Sequence, residues 1–311
     1  MANSSGKILV IRGGAIGDFI LTLPAIAALR RQFPAAHLEV LGYSHIISLA
    51  LAGGLVDRAR SIESRALAAF FGRNAELAEE MTDYLSEFDL IVSYLYDPDA
   101  IFRTNVARCS PAQFIAGPHR PDASSGLHAC KVFLKPLERL AIFDADPVPR
   151  LALTSDGASA ASLPQASRLA LHPGSGSEQK NWPEAKWADL LHYLMEAAQW
   201  HILLVGGEAE GERLRRLSPA LPPTRVHVAQ SLPLVELAGL LQQCAAFIGH
   251  DSGISHLAAA LGLPGLVLWG DTVEEVWRPP SEKVRILHGA EGLGNLELNE
   301  VVHSLETIQS F

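Results

Sequence analysis

Lys7-Ile8-Leu9-Val10-Ile11-Arg12-Gly13-Gly14-Ala15-Ile16-Gly17-Asp18 is the stretch from which the architecture follows. Its first six residues form a short apolar run that ends at a glycine pair, the pattern of a buried strand. Residues 13–17 then make a tight loop. Residues 19–32 place Ile20, Leu23, Ile26, Ala27 and Leu29 at roughly helical spacing, which predicts one helix. A strand buried on both faces needs helices over both, so this opening βα unit predicts a parallel sheet with helices on either side.

The same alternation continues outward. Strands are expected at 37–42, 58–62, 88–95 and 113–117, with a helix at 76–86. Between about 144 and 167 the composition shifts to Asp, Pro, Ser, Gly and Ala without periodicity, which marks a linker. A second cycle follows, with strands at 169–172, 201–206, 225–228, 246–248 and 266–269. Helices are expected at 184–198, 208–217, 234–242 and 252–261. The reading is two doubly wound α/β domains, residues 1–150 and 165–311, as 311 residues exceed the size at which a single core stops growing.

Composition narrows the function. Hydrophobic residues make up 48% and charged residues 19%, the balance of a folded protein. A formal charge of −9 argues against a nucleic-acid binder. Cys109, Cys130 and Cys244 are odd in number and form no C-x-x-C pair, so neither a disulfide framework nor a structural zinc site is indicated. The polar residues before Lys7 lack the apolar core of a secretory signal, and the longest apolar region, 254–269, is broken by polar residues, glycines and Pro264. A cytoplasmic protein is expected, with peripheral contact at the cytoplasmic membrane face left open.

Ligands of open parallel sheets bind beyond the carboxyl ends of the strands, so the post-strand loops hold the candidate residues. Gly249-His250-Asp251-Ser252-Gly253-Ile254-Ser255-His256 joins a strand to a helix. Its unpaired amides and the positive end of the helix suit an anion such as phosphate, with simple capping by Asp251 or Ser252 as the competing reading. The segment from His172 to Pro183 supplies small residues, including Ser175, that let backbone approach closely, and Lys180 as a point charge for phosphate. Glu210, after Gly206-Gly207, reads either as a carboxylate of a helix's first turn or as an acceptor of hydrogen bonds from a ribose or sugar. Asp18 at a helix start is either a cap or a general base. A dinucleotide site is disfavoured, because Gly13 to Gly17 lacks the G-x-G-x-x-G spacing and Glu39 lies inside its strand instead of closing it.

These segments together resemble glycosyltransferase family 9, the ADP-heptose:lipopolysaccharide heptosyltransferases and their relatives. The resemblance rests on Ile8 to Arg12 with Gly17-Asp18 and Leu21-Thr22-Leu23-Pro24-Ala25, and on His172-Pro173-Gly174-Ser175 with Lys180-Asn181-Trp182-Pro183 and Trp187. It also rests on Gly206-Gly207 with Glu210, and on Asp251-Ser252-Gly253-Ile254-Ser255-His256 with Gly262 and Pro264. It implies a GT-B architecture, two Rossmann-like domains facing a cleft, with the acceptor on the N-terminal half and the nucleotide-sugar donor on the C-terminal half. Asp18 would be the catalytic base of an inverting transfer. Lys180 and the amides near Ser252 and Gly253, with Ser175 assisting, would hold the diphosphate; Glu210 would meet the nucleoside, Asp251 the sugar hydroxyls, and His256 belongs to the same donor motif.

The implied donor is a nucleotide-diphosphate sugar, ADP-heptose first, and it is a substrate; no separate cofactor or metal is expected. Ser93-Tyr94-Leu95-Tyr96-Asp97-Pro98-Asp99 departs from the family's usual text, and its D-x-D form reads as turn chemistry. From 103 to 139 six basic residues stand against Asp122 and Glu138, a local balance of +4 in a chain of −9. Lys131, Lys135 and Arg139 are therefore candidate contacts for an anionic glycolipid or glycan acceptor. A nucleotide-sugar epimerase and a non-catalytic nucleotide-sugar binder of the same architecture remain alternatives at this point.

Overall fold

A computed structural model describes residues 6–153, 168–197, 200–219 and 221–308. The chain divides into two compact units, Met1–Pro149 and Arg150–Phe311. Of the expected linker, residues 154–167 lie outside the described residues, as does residue 198 at the end of one expected helix.

The first unit runs β1 (Lys7–Arg12), α1 (Ile16–Ile20), α2 (Leu23–Gln32), β2 (His37–Gly42), α3 (Ser44–Ala52), β3 (Arg58–Ser61), α4 (Arg65–Ala68) and α5 (Glu79–Ser86). It continues with β4 (Leu90–Ser93), α6 (Ile101–Ala107), β5 (Gln113–Ala116) and α7 (Ala129–Leu134), the last prolonged by a 3-10 turn over Lys135–Leu140. Its strands are parallel in the order β3-β2-β1-β4-β5. Ile8, Leu9, Val10 and Ile11 are all buried, as a strand covered on both faces requires.

The second unit runs β6 (Arg168–Leu171), α8 (Glu184–Ala197), β7 (His201–Gly206), α9 (Gly211–Leu217), β8 (Val226–Gln230) and α10 (Leu234–Leu241). It continues with β9 (Ala246–His250), α11 (Gly253–Ala260), β10 (Gly265–Trp269), α12 (Glu274–Trp277), β11 (Val284–His288) and α13 (Leu298–Ile308). All six strands are parallel in the order β11-β10-β9-β6-β7-β8. Trp182 and Trp187 anchor one face of this sheet, both fully buried and edge-to-face at 5.6 Å.

In each sheet the order reverses once, between β1 and β4 and between β6 and β9. Connections leave such a pair toward opposite faces, which opens a crevice at the carboxyl ends. The reversal decides which loops meet there. Those after β1 and β4 are neighbours in the first unit, and those after β6 and β9 in the second.

Two local expectations are corrected. Residues 19–32 are two helices, because the ring of Pro24 would strike the carbonyl of Ile20 in a continuous one; the chain breaks at Leu21 and Thr22, and the Thr22 hydroxyl donates to the Asp18 carbonyl at 2.8 Å. β9 runs two residues beyond the expected 248, so His250 is a strand residue and not a loop residue. Glu39 is spent within the first unit: it is buried, accepts from the Tyr84 hydroxyl at 3.0 Å and pairs with His37 at 2.8 Å.

At the end of β2, a Cβ on Gly42 would lie 2.4 Å from the Arg12 carbonyl oxygen and 2.6 Å from Ile47 Cγ2. Gly42→Ala should therefore lower stability by about 1–3 kcal/mol through overpacking, read as a reduced urea midpoint; an unchanged midpoint would show that the strand gives way without cost.

Candidate functional site

In the second unit the loop after β6 is held against β9 by one imidazole. His250 is fully buried; its Nε2 accepts from the Trp182 amide at 2.8 Å and its Nδ1 faces the Gly174 carbonyl at 3.1 Å. An amide can only donate and a carbonyl can only accept, so the ring is the neutral Nδ1–H tautomer. Burial holds it neutral, pushing its pKa down to about 3. Gly174 and Trp182 bracket the residues that carry Ser175 and Lys180, so β9 sets where both stand.

The next strand adds a second clamp. Glu210, almost buried, accepts from the Gly207 amide at 2.9 Å and the Gly176 amide at 3.3 Å. Its side chain lies so close to the loop that a Cβ on Gly174 would fall 2.1 Å from Glu210 Cγ, which accounts for glycine there. Arg213 donates to the Pro173 carbonyl at 2.7 Å and pairs with Glu178 at 2.6 Å. His172, buried beside them, is pushed down to about 4 by desolvation, against the opposing pull of Glu210.

Between these clamps lie the polar groups. Lys180 Nζ meets Asp251 Oδ2 at 2.7 Å, and the Thr272 hydroxyl donates to the same oxygen at 2.6 Å. Ser252 caps α11: its Oγ accepts from the Ser255 amide at 3.4 Å and lies 3.3 Å from His172 Nδ1. The Ser255 hydroxyl in turn donates to the His250 carbonyl. The Gly253 and Ile254 amides head the helix, outside its internal ladder, at the positive end of its dipole. Ser175 is turned into its own loop, its hydroxyl donating to the Ser177 carbonyl at 2.8 Å, and His256 is buried in the first turn of α11.

In the first unit Asp18 sits in α1, its carboxylate accepting from the Ala15 amide at 3.1 Å. Gly14 has φ +100°, and a Cβ there would be 2.9 Å from Asp18 Oδ2, so glycine is needed on both grounds. Behind it Arg12 is buried, 3.5 Å from the Asp18 carboxylate and 4.5 Å above the Phe133 ring. The same guanidinium donates to the carbonyls of Asp18 at 3.3 Å, Tyr94 at 3.3 Å and His119 at 2.7 Å. Burial lowers its pKa, opposed by the Asp18 charge.

Asp97 caps α6, taking the amides of Phe102 at 3.1 Å and Arg103 at 3.0 Å, while Asp99 pairs with Arg73 at 3.0 Å. The D-x-D text is turn chemistry, as expected. Among the described residues no cluster of three or more His, Cys, Asp or Glu side chains could hold a metal ion. Lys131, Lys135 and Arg139 are exposed along α7 and the turn that extends it, the helix whose buried Phe133 underlies Arg12.

The seven donor candidates thus lie on the loops after β6, β7 and β9 and in the first turn of α11, whereas Asp18 and the basic trio belong to the other unit. His250, Thr272, Arg213 and Arg12 were not picked out from sequence. His250 and Arg12 stand inside the quoted segments, but only strand register turns one toward Trp182 and the other under Asp18; Thr272 and Arg213 carry no local signal.

Both buried imidazoles make the stability of the second unit depend on pH. Unfolded histidine titrates near 6.5, so below that the unfolded chain takes up protons that His172 and His250 refuse until about pH 4 and 3. Stability is then complete above pH ~6.5 and falls as pH drops toward 4. Urea midpoints measured across that range should decline, and His250→Gln should flatten the decline; a flat wild-type profile would contradict neutral burial. His250→Ala strands the Trp182 amide and should cost about 1–3 kcal/mol.

Comparison with known proteins follows the same lines. The family model described as glycosyltransferase family 9 (heptosyltransferase) matches residues 127–301. Lipopolysaccharide heptosyltransferase 1 of Pseudomonas aeruginosa is 38% identical over 113 residues, covering 35% of this chain and 30% of that protein. Lipopolysaccharide heptosyltransferase 3 of Escherichia coli K12 is 23% identical over 293 residues, 86% of this chain and 83% of that protein. The alignments with the first curated relatives span about a third of their length. The solved structure of E. coli ADP-heptose LPS heptosyltransferase II shares the fold at TM-score 0.79 and 18% identity, over 98% of each chain. Two doubly wound parallel units agree with the GT-B class expected above, and the family model covers more than half of the chain: the protein belongs to glycosyltransferase family 9.

Proposed function

We propose that this protein is an inverting, metal-independent glycosyltransferase that moves a sugar, heptose from ADP-heptose, to a lipopolysaccharide-core or related cell-surface glycan. The observation that carries the reading is the pairing of Lys180 with Asp251, the residue just before the Ser252 cap of α11, at the β6/β9 reversal. A diphosphate there would find an ammonium, exposed helix amides and the helix dipole together. Family membership and relatives named as heptosyltransferases support the donor assignment.

In this reading the second unit binds the donor and the first binds the acceptor. Asp18 takes the proton of an acceptor hydroxyl as its oxygen attacks the anomeric carbon from the face opposite the diphosphate. The carbon–oxygen bond to the diphosphate breaks, and ADP leaves with the electron pair. Negative charge grows on the leaving group, where Lys180 and the amides of Gly253 and Ile254 stand once the donor is bound, which lowers the barrier. Asp251 then exchanges Lys180 for sugar hydroxyls, with Thr272 still holding its carboxylate. Glu210 orders the loop beneath the nucleoside and offers it a carboxylate.

Among the described residues no helix is long and apolar enough to cross a membrane. Lys131, Lys135 and Arg139 recur every fourth residue and are all exposed, with Leu127 at 46% and Phe143 at 70% exposure on either side in sequence. This combination suits an anionic acceptor carried at a membrane surface.

A thermal-shift series with ADP, UDP, GDP and CMP tests the donor. ADP should raise the midpoint most, and Lys180→Ala should abolish that shift; preference for UDP would replace the donor. Asp18→Asn should lower turnover by about 10²–10⁴-fold, the usual range for a lost general base, with ADP binding intact; undiminished turnover would remove Asp18 as the base. Neutralising Lys131, Lys135 and Arg139 together should weaken acceptor affinity and flatten its salt dependence, and unchanged values would exclude the basic face.

A further inference from the structure

The segment that departs from the family text has a use the transfer chemistry leaves unassigned. Tyr94 and Tyr96 lie two residues apart with opposite fates. Tyr94 is buried, its hydroxyl donating to the Phe133 carbonyl at 2.7 Å, whereas Tyr96 is 69% exposed. The Tyr96 ring is held edge-to-face against His119, with centroids 4.6 Å apart and planes at 62°. Both residues follow strands of the first sheet, Tyr96 after β4 and His119 after β5.

Their backbone is fixed from beneath. The Arg12 guanidinium donates to the His119 and Tyr94 carbonyls and to the Asp18 carbonyl, so three loops converge on one buried cation. A Cβ on Gly13 would meet Leu95 at 3.5 Å, and one on Gly14 would meet Asp18 at 2.9 Å. The Gly13-Gly14 turn is therefore packed between the Tyr96 segment and the Asp18 carboxylate. Asp97, spent on the α6 amides, pins the other side of Tyr96.

We propose that Tyr96 and His119 form an aromatic platform that receives a pyranose ring of the acceptor beside Asp18. The inference rests on the transferase reading and deepens it. One face of a pyranose presents C–H groups of slight positive charge, which suit the electron-rich face of a phenol ring. The exposed His119 imidazole adds a nitrogen for a ring hydroxyl. Recognition here is by stacking, so it is insensitive to salt, unlike recognition by the Lys131, Lys135 and Arg139 face.

The test uses the full chain carrying Asp18→Asn, saturated with ADP, so that binding is read without turnover. A deacylated lipopolysaccharide core oligosaccharide is titrated by calorimetry. Adding Tyr96→Ala should weaken binding about tenfold, equal to ~1.4 kcal/mol, with the thermal midpoint unchanged because the ring is exposed. Tyr96→Phe should bind within about twofold of its parent, as stacking needs the ring and not the hydroxyl; His119→Ala should fall between them. Equal affinity in Tyr96→Ala, or no binding of the oligosaccharide at all, overturns the platform. Tyr96-dependent binding with no transfer from ADP-heptose by the wild-type chain would keep the platform and remove the transferase reading.

Discussion

Two neighbouring parallel strands whose connections leave to opposite faces cannot both cover their shared carboxyl end, and most of the candidate residues gather where that happens. The β1/β4 pair leaves the gap that Asp18 borders; the β6/β9 pair leaves the gap into which Lys180, Asp251 and the head of α11 converge.

Each gap is organised by one buried polar side chain handled in opposite ways. Arg12 stays a cation and is satisfied by three backbone carbonyls, the Asp18 carboxylate and the Phe133 ring. A guanidinium presents its donors in a fixed fork, so it can tie several loops at set angles. His250 is held neutral and joins one donor to one acceptor. The contrast follows the groups each one meets: backbone carbonyls take only a donor such as the Arg12 guanidinium, whereas one amide and one carbonyl take a neutral imidazole that both accepts and donates.

Much of this was legible from residues in order. The strands Lys7–Arg12, His37–Gly42 and His201–Gly206 have the ends their apolar runs predict, because burial on both faces leaves an uninterrupted signal. β11 and α13 were not anticipated, nor were α3, α4, α6, α7 and α12: β11 pairs on one side only and only Val284 in it is buried, a weaker pattern. The helix expected over 19–32 failed at Pro24, where a steric rule outweighs periodicity. Asp97 was correctly read as turn chemistry because its partners are local amides, the kind of contact sequence can foresee.

Sequence by itself determined the period of the elements, the positions of glycine where backbone or a carboxylate crowds, and the family, since these depend on neighbours within a few residues or on motif text. The tertiary structure decided which loops meet, which tautomer His250 adopts, why Arg12 is buried and why Tyr96 faces outward while Tyr94 faces in. These depend on strand order and register and on where the chain leaves the sheet: a one-residue shift in register sends a strand side chain to the opposite face, and beyond the end of β4 the loop turns Tyr96 away from Tyr94.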